Sequence, residues 1–455
     1  MGRDKKVRAV ELGKDVLIVL LTALGVWLIL QTPLAAPLHS LLGEEGRQTA
    51  SGQAQGGDRV EGALPLTMVV NLPAPSGLPE GMGTPEGTEG MRCAVQYDRE
   101  GCQALFQQVA GPLAEALSNA GQPEPVSRAA WEAALTRMTG VYMDFQGEIP
   151  LPVLVGWLTG GPTQLTGTVR RLILTVQDGR TALYYQDADS GECFRCRTTA
   201  ASSSTLKEML TELTGNGAFY AFESELYEGL DPDTLLLPAA PVPAVYTAAD
   251  PVSGGQTALE ALVQDLGFSL NSTSFYSTDE QVARSGDDSV RLSDRGVAQY
   301  QYEGNGSGGL FPVLRQGEAG PLFDSVETCR QVALSALGSR CGEARLYLMS
   351  VTEEEGGWEI QFGCSLDGIP ILLDQGCAAR FQVRERQIVQ FTLCLRSYTA
   401  AAGSSLVLPP RQAAAALAAQ GLEGEELLLT YTDSGGDAVA VSAGWSARDT
   451  GRGEG

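Results

Sequence analysis

Hydrophobic positions along the chain recur with two periods, one that fits helices and one that fits strands. Segments 64–72 and 91–97 are rich in apolar and β-branched residues and predict two paired strands. Segment 103–119 has apolar residues at helical spacing, and Pro112 within it predicts a kink or a break. Ser127 then predicts the N-cap of a second helix. The pattern favours helices packed on antiparallel β-meanders, which is an α+β fold.

The same two periods continue to the end of the chain. A hairpin is predicted around the turn 177–180, and the proline-rich run 232–251 predicts an extended linker. The later predicted helices cover 258–266, 325–337 and 410–420, and the predicted strands cover 274–276, 289–292, 297–302, 344–352, 358–366, 369–373, 378–384, 387–398, 426–432 and 438–445. A helix followed by a meander recurs here, so the end of the chain predicts two such units.

Changes of composition divide the chain into six parts. The predicted parts are a cytoplasmic tail (1–15), a transmembrane helix (16–38), a flexible tether (39–60), an N-terminal α+β domain (61–245), a middle α+β domain (246–315) and a C-terminal α+β domain (316–455).

The segment 16–38 carries no charged side chain and is long enough to cross a bilayer as a helix. Basic residues precede it, so the positive-inside rule predicts a cytoplasmic N-terminus and an extracytoplasmic body in a single-pass membrane protein. A cleaved signal peptide is the alternative, but no small-x-small triplet directly follows the apolar run. The sequence therefore favours an uncleaved anchor.

One face of this predicted helix is a candidate partner-binding surface. Leu17, Leu21, Leu24 and Leu28 recur at helical spacing, and small residues nearby permit close approach of another helix. Every single span has such faces, however, so the stripe also has a purely structural interpretation.

Charge changes the picture of possible partners. The chain of 455 residues has a net charge of −24, and without residues 1–15 it carries 26 basic and 52 acidic side chains, a net of −26. A body with this much negative charge should repel nucleic acid. Proteins or cationic surfaces are the partners that its charge favours. Solubility alone is the simpler explanation of the acidity.

Nine cysteines permit disulfides outside the cytoplasm. Cys93/Cys102 and Cys329/Cys341 are candidate pairs by spacing, although sequence does not fix connectivity. Cys193 and Cys196 form a CxxC without a second ligand pair for zinc. The sequence favours buried or locally bridged cysteines over redox or metal chemistry.

Catalytic motifs are missing from the sequence. The sequence contains a single histidine, His39, which lies beside the predicted span. Ser-His-Asp triads, Cys-His pairs and HExxH zinc sites are therefore not expected. A carboxylate pair remains possible by count, but acids such as those at 353–355 and 287–288 fall in predicted turns and are expected to be solvated. No catalytic, cofactor-binding or metal-binding residue is therefore predicted, and the chain is expected to be a non-enzyme.

Several stretches in order resemble the YycH/YycI (WalH/WalI) family of membrane-anchored regulators, and YycH most closely. They are KDVLIVLLTALGVWLILQTPL, MRCAVQYD with ALFQQVAGPLAEAL, VYMDFQGEIPLPVLVGWL, ALEALVQDLGFSLNSTSFYSTDE, DSVRLSDRGVAQYQ, WEIQFGCSLDGIPILL and AVSAGW. The resemblance implies α+β units behind an anchor and non-enzymatic regulation of a sensor histidine kinase (YycG/WalK-like) that controls cell-wall homeostasis. It also implies a YycI-like co-regulator and contacts through the transmembrane helices, and it leaves open whether regulation is activating or repressing.

An extracytoplasmic cell-wall-binding module or envelope enzyme is the alternative function. Such a protein needs an aromatic-lined cleft with convergent polar groups. Trp131, Trp157 and Trp358 are available, but each lies within an apolar periodic run that is typical of core residues.

Overall fold

A computed structural model describes residues 59–72, 92–177, 179–198, 206, 208, 210, 213–252, 256–277, 280–304, 308–436 and 439–449. Residues from Arg59 onward form one compact unit. The predicted tail and span, and the tether up to residue 58, lie outside the described residues. The domain boundaries predicted within the body stay predictions.

The described part of the N-terminal region forms an antiparallel sheet with the strand order β2-β1-β4-β5-β6-β7-β3. Its strands are β1 (Thr67–Asn71), β2 (Arg92–Gln96), β3 (Glu124–Val126), β4 (Gly140–Pro150), β5 (Thr168–Gln177), β6 (Arg180–Asp187) and β7 (Cys193–Thr198). The helices are α1 (Arg99–Ser118), α2 (Arg128–Thr136) and α3 (Leu151–Thr159). The predicted pairing of the first two strands and the hairpin at 177–180 are confirmed.

Helix α1 runs through Pro112 without ending, so Pro112 does not break the helix, and the alternative of a kink stays a prediction. The Asp98 carboxylate accepts a hydrogen bond from the Gly101 N–H at its start. A proline inside a helix costs about 3 kcal/mol. Val109 and Leu117 are buried on either side of it, and each such side chain returns roughly 1.5–3 kcal/mol when buried. Burial of the apolar face therefore outweighs the lost backbone hydrogen bond.

The rest of the described chain adds a larger sheet with the order β11-β12-β13-β14-β19-β18-β16-β17-β21-β23, with β15 paired to β16, and smaller sheets β20-β10-β22 and β8-β9. The strands are β8 (Phe219–Tyr220), β9 (Leu235–Leu236), β10 (Ala244–Ala249), β11 (Ser274–Ser277), β12 (Gln281–Ser285), β13 (Asp288–Leu292), β14 (Val297–Tyr302), β15 (Arg345–Glu354), β16 (Gly357–Leu366), β17 (Ile369–Leu373), β18 (Ala379–Arg384), β19 (Gln387–Cys394), β20 (Ser397–Ser404), β21 (Glu426–Asp433), β22 (Val439–Val441) and β23 (Ala443–Arg448). The helices are α4 (Gln256–Asp265), α5 (Pro321–Leu337) and α6 (Pro410–Ala419). The mixed α+β class with antiparallel sheets is confirmed.

The proline-rich run 232–251 is not a linker. It contains β9 and β10, and Asp233, Tyr246 and Ala248 are buried. Strand β10 is the centre of its sheet, between β20 and β22. The predicted linker is wrong because the prolines lie before, between and after these two strands, where no ladder hydrogen bond is needed.

The main core contains buried residues of both large sheets and of helices α1, α3, α4 and α5. Gly156 on α3 is required for this packing, since a Cβ there would overlap the ring of Phe323 on α5. Trp157 packs in this core and Trp131 in a smaller one, with 2% and 0% of their surface exposed. These two tryptophans are therefore core residues, as expected, while Trp358 is half-buried.

In the described part of the chain, none of the helices is both long enough and apolar enough to cross a membrane.

Candidate functional site

A bulge in β4 shapes the most strongly charged part of the interior. The pairing of β4 with β5 is regular as far as Asp144↔Arg171 and resumes only at Ile149↔Val169. Within the bulge Gln146 has a φ of 61°, a left-handed conformation that is uncommon for a residue with a side chain. Gly147 packs directly against the Leu348 carbonyl of β15, where a Cβ would overlap it. The bulge thus joins the first sheet to the larger one.

Arg170 on β5 holds two carboxylates from different sheets. Its Nε and Nη2 donate to Asp144 Oδ1 and Oδ2 at 3.0 and 2.9 Å. Its Nη1 and Nη2 donate to Glu426 Oε2 and Oε1 on β21 at 2.5 and 2.8 Å. Both pairs are bidentate, which is the strongest geometry for arginine and carboxylate.

Arg171 extends the same network in another direction. Its Nη2 donates to Glu426 Oε1 at 2.9 Å, and its Nη1 donates to Asp233 Oδ2 at 3.2 Å. Asp233 also accepts hydrogen bonds from Arg128 and from the Trp131 indole. The network therefore connects the first sheet, helix α2, the loop before β9 and strand β21.

In this network, desolvation and the attraction between opposite charges shift the pKa values in opposite directions, and the attraction has the larger effect. Desolvation alone would raise the pKa of Glu426, but Arg170 and Arg171 hold it well below its usual range. Desolvation would likewise lower the pKa values of both arginines, yet the carboxylates raise them. These groups stay charged at neutral pH. Glu426 is therefore a poor general acid, because it is deprotonated at physiological pH.

Beside the network lies a cavity of about 630 Å³. Three arginines (Arg170, Arg171 and Arg448), four acidic residues (Glu148, Asp187, Asp189 and Asp449) and four uncharged residues line it. Arg448 on β23 donates through Nη1 to the backbone oxygen and to Oε1 of Gln146, at 2.9 and 3.1 Å. It forms no ion pair with any carboxylate in the described part of the chain.

The sequence does not predict this site, because acidic residues are expected to be solvated in turns. Asp144, Glu426 and Asp233 are instead buried, with 5% or less of their surface exposed. One signal was present: Arg170 and Arg171 are the only charged residues of the strand TVRRLILTVQ, half of which is apolar. A charged pair inside a buried strand needs buried partners. The predicted partner-binding face, Leu17, Leu21, Leu24 and Leu28, lies outside the described residues.

All nine cysteines are free thiols, so the pairs proposed from spacing do not form. Cys102 Sγ instead donates to the carbonyls of Leu66 and Val95, at 3.5 and 3.4 Å. Cys193 and Cys196 lie on strand β7, where residues three apart point to opposite faces, and they pack into different cores. Their arrangement fits the expectation of small buried side chains.

No protein-family model matches the chain, and no curated protein matches its sequence. Among solved structures, the crystal structure of YycH from Bacillus subtilis matches with a TM-score of 0.51 and 11% identity. The match covers 84% of this chain and 96% of that one. The chain has a YycH-like fold. At this identity the likeness to YycH concerns the fold alone.

Proposed function

We propose that the chain is a non-enzymatic regulator of a sensor histidine kinase, anchored in the cell membrane by residues 16–38 with its body outside. One observation carries the proposal: the YycH-like fold extends over 96% of the YycH structure. The stretches that resemble the YycH/YycI family in order point to the same function. The paired charges of the network fit this role, since they stabilise the structure and leave Glu426 unsuited to proton transfer.

Regulation through contact requires different affinities for two states of the kinase. In the proposed mechanism the transmembrane face of Leu17, Leu21, Leu24 and Leu28 packs against a kinase helix, and the body contacts the exterior of the kinase. A YycI-like protein takes part as co-regulator. The acidic body does not contact nucleic acid, because like charges repel.

Crosslinking and co-purification from membranes of the producing bacterium test the proposal. The tagged full-length chain should recover a sensor histidine kinase, identified by mass spectrometry. Replacing the four face leucines with alanine should reduce recovery at least about tenfold, a loss of roughly 1.4 kcal/mol in association. A matched variant of the opposite face, with Val19, Val26 and Leu30 changed to alanine, should recover the kinase normally.

The outcomes separate the parts of the proposal. Recovery of no histidine kinase with the wild-type chain would contradict the proposed function. Unchanged recovery after replacement of 16–30 by an unrelated apolar span would remove the anchor from the mechanism and leave the body as the contact surface.

A further inference from the structure

The cavity beside the network has one arginine that its surroundings leave partly unpaired. Arg170 and Arg171 are neutralised by buried carboxylates. Arg448 donates its hydrogen bonds to the neutral oxygens of Gln146, both through Nη1, and it feels the carboxylates of Glu426 and Asp144 only through longer-range attraction. Burial and the nearby charge of Arg170 lower the pKa of Arg448 by more than the carboxylates of Glu426 and Asp144 raise it. An anion placed against Arg448 would relieve this cost.

The adjoining network holds a second donor without a hydrogen-bond partner. Arg171 Nε is buried and has no hydrogen-bond partner, its nearest carboxylate oxygen, Asp144 Oδ2, being 3.7 Å away. Buried donors of this kind are rare in proteins and call for an explanation. The left-handed backbone of Gln146, which holds Arg448 in place, is a further strained feature at this cavity.

Acidic residues also line the cavity. Glu148 and Asp189 are exposed at the cavity, and Asp449 also lines it. Of the residues that line the cavity only Ala188 and Gly191 lack a polar side chain, so an apolar ligand does not fit. One basic group faces several acidic ones across a volume of about 630 Å³, within the roughly 300–1,000 Å³ of ligand pockets.

We infer that this cavity binds a short zwitterionic peptide or amino acid, with its carboxylate on Arg448 and its ammonium groups on the acidic walls. A ligand with one carboxylate and more than one ammonium group matches the local charge best. The ligand would contact β5, the β6–β7 turn and β23 at once, and so would link the first sheet to the larger one. This inference does not depend on the proposed function, since ligand binding is measured without the kinase.

Calorimetric titration of the full-length chain in detergent tests it, with lysylglycine as the probe. Lysylglycine should bind saturably, and lysylglycine amide, which lacks the carboxylate, should bind at least about tenfold more weakly, as expected for loss of a charge-assisted hydrogen bond. Inorganic phosphate should not compete with lysylglycine, because it has no cationic group to pair with the acidic side chains of the cavity. No binding of lysylglycine, equal binding of the amide, or equal binding of phosphate would overturn the inference.

Variants locate the site. R448Q should weaken lysylglycine at least about tenfold, and R448K should retain part of the affinity because it keeps the charge. R291Q is the matched control, since Arg291 is an exposed arginine on β13 that does not line the cavity. Unchanged affinity in R448Q would refute the assignment. If R448Q does not fold, the comparison of lysylglycine with its amide still decides the matter, because it uses the wild-type chain.

Discussion

Replacing Glu426 with glutamine should destabilise the protein strongly. Glu426 has 5% of its surface exposed and receives hydrogen bonds from Arg170 and Arg171 at 2.5–2.9 Å. Glutamine has nearly the same shape, but it removes the charge and turns an N–H donor toward the guanidinium groups. Breaking a buried ion pair from one side costs about 3–5 kcal/mol. We expect about 3 kcal/mol, because the remaining amide oxygen still accepts one hydrogen bond.

Urea unfolding and thermal melting measure this loss. At about 2.1 cal/mol/K per residue over roughly 400 residues, 3 kcal/mol corresponds to a decrease in Tm of only about 4 °C. Urea midpoints are therefore the primary readout. The matched control is E303Q, since Glu303 pairs with Arg284 at 2.7 Å while both side chains are more than 40% exposed. Such surface pairs contribute about 0–1 kcal/mol.

The pH dependence gives the prediction a second test. The pKa of Glu426 in the folded protein lies below its ordinary value of 4.5, so its ionised form stabilises the fold above that pH. As the pH falls below about 4.5 the unfolded chain takes up the proton first, and this contribution decreases. The difference in unfolding free energy between wild type and E426Q should be full at pH 7 and should shrink toward pH 3. Equal losses in E426Q and E303Q, or a difference that is constant with pH, would refute the reasoning.

Three further predictions follow from packing, capping and the thiols. G147A should lower the unfolding free energy in urea by about 1–3 kcal/mol, because the added Cβ overlaps a backbone oxygen. The control is G111A on α1, where the added Cβ touches no other atom, and its unfolding free energy should stay the same or rise by up to about 1 kcal/mol. A larger loss in G111A than in G147A would contradict this packing of Gly147. S127A should lose about 1 kcal/mol, because it removes the side-chain cap of α2, and a change below about 0.3 kcal/mol would show that the cap is dispensable. Protein unfolded without reductant should take up nine maleimide labels by mass spectrometry, and folded protein should label first at the partly exposed Cys93 and Cys394; fewer than nine labels would reveal a disulfide.

The sequence by itself determined the fold class and many of the local elements. Ser127 does cap α2, and the hairpin around 177–180 forms with the expected pairing. These features depend on interactions among residues close together in the chain, such as a side-chain oxygen that meets a helix N–H or a two-residue turn. The missed strand β12 lies between two strands that were predicted, and its pattern, QVARS, is too short to show a period.

Only the tertiary structure decided the charged network and the cavity. Asp144, Arg170 and Glu426 are separated by up to 282 positions, yet they share one set of hydrogen bonds. Nothing in the local sequence of β21 distinguishes the buried Glu426 from the half-buried Glu425 beside it. A carboxylate is buried when distant arginines compensate for its desolvation, and the position of those arginines depends on how the sheets pack. Burial of charge is therefore a property of the assembled fold, whereas helices, turns and strands follow from the chain's own periodicity.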